Sequence, residues 1–117
     1  RIPFIVDSEE RGNYVAFEVR GDSMDDGTLQ GYLDGDRLYC REVHRQLWTS
    51  VALHQRQRDY VIVYRDEILL KRIIHHNTEN YLITVHSLNP EFPDRTINLA
   101  EVKQIFSEVE SARARKR

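Results

Sequence analysis

Two residues of this 117-residue chain stand where base and nucleophile chemistry could arise, Lys71 and Ser23. Lys71 lies in Ile68-Leu69-Leu70-Lys71-Arg72-Ile73-Ile74. In an extended chain alternate residues face opposite ways, so Leu69, Lys71 and Ile73 share one face, and Ile68, Leu70, Arg72 and Ile74 the other. Both faces are mostly apolar, which predicts a strand covered on both sides and a cation held among apolar neighbours. Burial disfavours the ammonium and pulls the lysine pKa, ordinarily about 10.4, toward neutrality, where the free amine can act as a general base. Taken alone, the strand favours a lysine that buries its stem and extends its amine to water or to an acid.

Ser23 lies in Val19-Arg20-Gly21-Asp22-Ser23-Met24-Asp25-Asp26-Gly27. A strand ends at Val19, Gly21 permits a sharp turn, and Ser23 follows in the loop. A serine on such a turn exposes its hydroxyl close to backbone N–H groups, the arrangement a hydrolase uses for a nucleophile and an oxyanion hole. It is also what a solvated turn serine looks like. No Gly-x-Ser-x-Gly elbow is present, and none of the five histidines stands in a recognisable catalytic motif.

The elements that must position these residues are short. Turn signals recur at Glu10-Arg11-Gly12-Asn13, Asp25-Asp26-Gly27, Asp34-Gly35-Asp36, His76 to Asn80, and Asn89-Pro90 through Pro93-Asp94. Between them lie segments rich in β-branched and aromatic residues: Val15 to Val19, Arg37 to Arg41, Tyr60 to Tyr64, Ile68 to Ile74 and Tyr81 to His86. Strands joined by tight turns without intervening helices predict a mostly β, antiparallel domain. Val43 to Val51, with Leu47 and Trp48, reads as an irregular or helical excursion. Leu99 to Val109 places Val102, Ile105, Phe106 and Val109 at helical spacing.

Composition bounds the function. The length suits one domain, 40% hydrophobic and 31% charged residues suit a globular one, and no run approaches the ~20 apolar residues of a membrane span. The chain opens on Arg1, as a fragment of a longer chain would, and has no signal-peptide pattern. The single cysteine, Cys40, has no intrachain partner and no zinc-like spacing around it. It reads as a small buried hydrophobe, in keeping with a reducing cytoplasm. No motif calls for a metal or a cofactor. Acidic residues number 19 and basic ones 17, and four of the 17 are Arg113, Arg115, Lys116 and Arg117. The division predicted is therefore a domain over 1–112 and a basic tail over 113–117. The body is acidic and reads as no nucleic-acid binder by itself.

Gly21-Asp22-Ser23-Met24, Asp34-Gly35-Asp36-Arg37-Leu38, Leu70-Lys71-Arg72-Ile73 and Leu88-Asn89-Pro90 occur in that order. Together, across Val15 to Val109, they resemble the motifs of the LexA and phage-repressor self-cleaving peptidases. The resemblance implies a strongly bent, mostly antiparallel β fold. It implies Ser23 as nucleophile, Lys71 as a neutral buried base, and Met24 as the residue whose backbone N–H helps to form the oxyanion hole. Asp34-Gly35-Asp36 then matches a structural turn, and Asn89-Pro90 a loop near the end of the sheet. The family cleaves an Ala-Gly or Cys-Gly bond upstream of its serine, and neither dipeptide occurs in this chain. Either that bond lies before Arg1, or the chain starts after cleavage, or this member does not cleave itself. Thr28 to Leu33 is longer than the resemblance leads one to expect, and Val43 to Arg58 matches nothing in it.

The resemblance also favours a strand over a helix for Val102 to Val109. The function expected is self-cleavage that separates this domain from an upstream DNA-binding module. A non-cleaving dimerisation module and a UmuD-like accessory protein of DNA-damage tolerance are the alternatives. Signal-peptidase-like action is disfavoured for want of a membrane segment. A repressor of two-fold operators has to be a homodimer, and Val102, Ile105, Phe106 and Val109 on a terminal edge strand are the surface expected to make it.

Overall fold

A computed structural model describes residues 12–49, 53–56 and 58–112. Seven strands form one antiparallel sheet: β1 (Tyr14–Glu18), β2 (Arg37–Val43), β3 (Asp59–Tyr64), β4 (Glu67–Asn77), β5 (Leu82–His86), β6 (Arg95–Asn98) and β7 (Val102–Ala112). Their spatial order is β1-β2-β7-β3-β4-β5-β6. The mostly β antiparallel expectation is thus met. Bulges at Tyr39/Cys40, Val63/Tyr64 and between Ile73 and His75 interrupt the ladders where the long strands change direction.

The middle of the sheet is buried on both faces. Tyr60, Ile62, Ile73, Val85 and Ile105 belong to one apolar cluster. Leu38, Cys40, Val61 and Phe106 belong to the other. Neighbours in sequence such as Val61 and Ile62 therefore enter opposite cores. This is why β3 reads as a continuous apolar run with no polar alternation. Phe17 meets Phe106 edge-on, with ring centroids 5.0 Å apart.

Four outcomes bear on the expectations. The strand favoured for Val102 to Val109 is found in spite of the helical spacing: Leu99–Glu101 is a 3-10 turn, and β7 follows it. β7 is not an edge strand: it pairs with β2 on one side and β3 on the other. Val102, Ile105 and Phe106 are accordingly buried in the monomer, and only Val109, 50% exposed, faces outward. Those three residues complete the two cores and form no dimer surface. Third, β4 is not covered on both faces along its length, for Ile68 at its start is 64% exposed while Lys71 and Ile73 are buried. Fourth, Arg95–Asn98 is a strand that the polar run before it concealed.

The Val43 to Val51 excursion is a 3-10 turn over Arg45–Leu47 within its described part. It exists to bury Trp48, whose indole N–H donates to the Val43 carbonyl at 3.0 Å beneath the Arg45 guanidinium. The basic tail over 113–117 lies outside the described residues.

Candidate active site

Between β1 and β2 the chain makes the loop that carries Ser23. Its base is closed by two backbone bonds, Val19 N–H to Asp36 O and Gly35 N–H to Val19 O, both 2.8 Å. The Asp34 carboxylate accepts the Gly21 N–H at 2.7 Å, and Gly21 itself adopts φ +78°, a left-handed conformation that favours glycine. Asp34-Gly35-Asp36 is thus a structural turn that clips the serine turn to the sheet. The buried Asp36 carboxylate also accepts the Leu33 N–H.

The longer Thr28 to Leu33 stretch has a physical role. It folds back so that Tyr32 N–H donates to Met24 O at 2.7 Å. A Cβ at Gly31 would come within 2.5 Å of Asp26 Oδ1 and 3.0 Å of Met24 O, so glycine permits the approach. Farther along, Tyr32 sends its hydroxyl into the core, 2.7 Å from Asp59 Oδ2 and 3.2 Å from Glu108 Oε1. Arg72, beside Lys71 on β4, pairs with the same Asp59 at 2.9 Å.

A second loop, after β5, holds the serine turn from the other side. Asn89 N–H donates to Ser23 O at 2.9 Å, and Asn89 Nδ2 donates to Asp22 O at 3.0 Å. Its Oδ1 accepts the Glu91 N–H, which shapes the loop that Pro90 follows. Leu88 N–H points at the Met24 sulfur, 3.4 Å away.

Lys71 stands on β4 opposite Tyr60 and is only 7% exposed. Its Nζ lies 3.1 Å from Ser23 Oγ and 2.6 Å from Ser87 Oγ. Burial holds its pKa below the ordinary lysine value, the Arg95 guanidinium adds to that, and the Glu67 carboxylate opposes it. Ser23 and Lys71 open on a cleft of about 450 Å³ whose walls include Phe17, Val19, Met24 and Leu70. Among the described residues, neither the Ser23 nor the Met24 backbone N–H donates to an acceptor.

The structure therefore brings Ser23, Met24 and Lys71 to one place and sets Val102, Ile105 and Phe106 elsewhere. Sequence reasoning passed over Ser87, the closest partner of the lysine amine, and gave Asn89 no contact with the serine turn. The run Ser87-Leu88-Asn89-Pro90 sets polar residues at alternate positions directly after a strand, a pattern that a solvated loop shares. The Tyr32–Asp59–Glu108 cluster had no local signal, because its members are far apart in the chain.

A family model described as Peptidase S24-like matches residues 2–109. The match covers almost the whole chain, which belongs to the Peptidase S24-like family. This is the family of the C-terminal domains of LexA, UmuD and phage repressors, in general class self-cleaving serine peptidases. Among curated proteins no sequence matches the chain.

Proposed function

We propose that this chain is the self-cleavage and dimerisation domain of a LexA-like or phage-repressor-like regulator. Ser23 is the nucleophile, Lys71 the base, and the Met24 N–H an oxyanion donor. The observation that carries this reading is a buried lysine amine 3.1 Å from a serine hydroxyl on a turn.

The chemistry follows from the positions. The neutral Lys71 amine takes the Ser23 proton as Oγ attacks the carbonyl carbon of the scissile bond. Negative charge gathers on the carbonyl oxygen, where the Met24 N–H offers a donor. The Lys71 ammonium then gives its proton to the departing amine. An ester on Ser23 remains, and water, deprotonated by the same amine, hydrolyses it. The substrate is a segment of the same parent chain, upstream of this domain, and cleavage separates the domain from its DNA-binding module.

The test uses the full-length parent. Self-cleavage is expected to accelerate with pH until Lys71 is wholly neutral and then to level off, as read by gel densitometry over a pH series. Ser23→Ala and Lys71→Ala are each expected to abolish it while circular dichroism stays native. Cleavage that persists in Lys71→Ala at neutral pH overturns the mechanism.

A further inference from the structure

We propose that Ser87 is a positioning residue for the dyad, holding the Lys71 amine so that its lone pair faces Ser23 Oγ. The inference rests on the reading of Ser23 and Lys71 given above and extends it to a third side chain.

A lysine amine ends a flexible four-carbon stem and turns freely about its last bond, so one contact does not orient it. In this site two contacts do. Ser87 Oγ lies 2.6 Å from Nζ, closer than Ser23 Oγ at 3.1 Å. Ser87 is itself buried, directly after β5, so its oxygen is fixed by the sheet and not by a mobile loop tip. The remaining side of the amine faces the ring of Phe92, 5.8 Å from its centroid, which accepts no strong hydrogen bond. The neutral amine has two N–H bonds and one lone pair. With one N–H given to Ser87, the lone pair can be directed at the Ser23 hydroxyl proton. When Lys71 takes that proton, Ser87 accepts from the ammonium, and the bond becomes charge-assisted.

The same loop serves the other partner. Two positions beyond Ser87, Asn89 holds the backbone of Asp22 and Ser23. One short segment thus aligns the base through Ser87 and the nucleophile through Asn89.

The test can be made on this chain without its scissile bond. A fluorophosphonate phosphonylates Ser23: the Oγ–P bond forms, the P–F bond breaks, fluoride leaves and the serine proton passes to Lys71. Its rate, followed by intact mass over a pH series, reads the amine. Ser87→Ala is expected to lower the plateau rate about tenfold and to move the midpoint to lower pH, because the ammonium loses an acceptor. Ser87→Thr, which keeps the hydroxyl, is expected to restore both. A Ser87→Ala profile with unchanged plateau and midpoint, or a faster plateau, overturns the proposal. Wild-type protein that is not modified at Ser23 overturns the reading of the dyad instead. An NMR titration of the Lys71 side chain then decides Ser87 independently: a midpoint equal in wild type and Ser87→Ala removes its hold on the amine.

Discussion

Burying the Lys71 amine costs the folded chain its hydration, and two serine hydroxyls return only part of that. The cost has a sign that can be measured. The folded amine binds its proton less tightly than the unfolded one. Between the lowered folded pKa and about 10.5, the unfolded chain therefore holds more protons, and stability rises with pH across that window. Lys71→Met keeps the buried stem and removes the charge. It is expected to raise the melting temperature at pH 7, with a gain that shrinks as the pH nears 10, while abolishing phosphonylation of Ser23. A variant that melts no higher than wild type at pH 7 contradicts this account. Lys71 was noticeable as a cation between two apolar neighbours on a strand, but only the ordered motifs around it and Ser23 turned the reading from a structural lysine to a base. Ser87 was not, since a serine just past a strand ordinarily meets water, and only the register of β4 against β5 turns it toward the amine.

At the scale of elements, the serine turn is held by its neighbours more than by its own residues. Asn89 gives it one backbone and one side-chain bond. Asn89→Ala removes the side-chain bond and the support of the Glu91 N–H, and leaves the Asp22 carbonyl with the Asp25 N–H as its remaining partner. It is expected to destabilise the domain by about 1–3 kcal/mol in denaturant titrations and to slow modification of Ser23. On the opposite side Tyr32 ties the turn to β3 and β7 through one hydroxyl shared by two carboxylates. A phenol has one proton to donate, and the shorter contact, to Asp59, takes it. Glu108 completes the cluster when it carries its own proton, and burial, with the Asp59 charge beside it, pushes its pKa up against the Tyr32 bond and Arg58. Since the folded pKa is raised, the stability that Glu108 contributes is whole below about pH 4.5 and is lost as pH rises through the folded value. Glu108→Gln, neutral at every pH, is expected to flatten that part of the stability profile in thermal melts; an unchanged profile assigns the dependence to another group. Most strands could be read from β-branched and aromatic runs between turns. β6 could not, because Arg95-Thr96-Ile97-Asn98 buries only Ile97, too little to show a period.

For the whole molecule, the place of β7 decides which of its residues reach the surface. Phe106 fills a core, and Phe106→Ala is expected to cost about 3–5 kcal/mol in chemical denaturation, the penalty of an interior cavity. A homodimer remains part of the proposed function, and of the four residues first considered for it only Val109 is available. It lines a groove of about 340 Å³ with Leu47, Val43 and Tyr14. Light scattering over a dilution series is expected to show a dimer that Val109→Glu weakens. A monomer at every concentration removes the dimer, and a dimer indifferent to the substitution places its interface elsewhere. The two-fold logic of operators pointed to a dimer, yet nothing local could say that β7 is inserted between β2 and β3. That insertion bears on how the protein is made. Ser23 follows β1 and leads into β2, Lys71 lies on β4, and among the described residues the only strand that pairs the first group with the second is β7. A ribosome emits Ser23 and Lys71 well before it emits Val102. Until then the nascent chain holds Ser23 and Lys71 on two sheet fragments with no β7 ladder between them. Pairing so remote in sequence forms late and slowly. In the proposed function, order of synthesis therefore acts as a safety catch: the dyad is assembled only once β7 has been translated and docked.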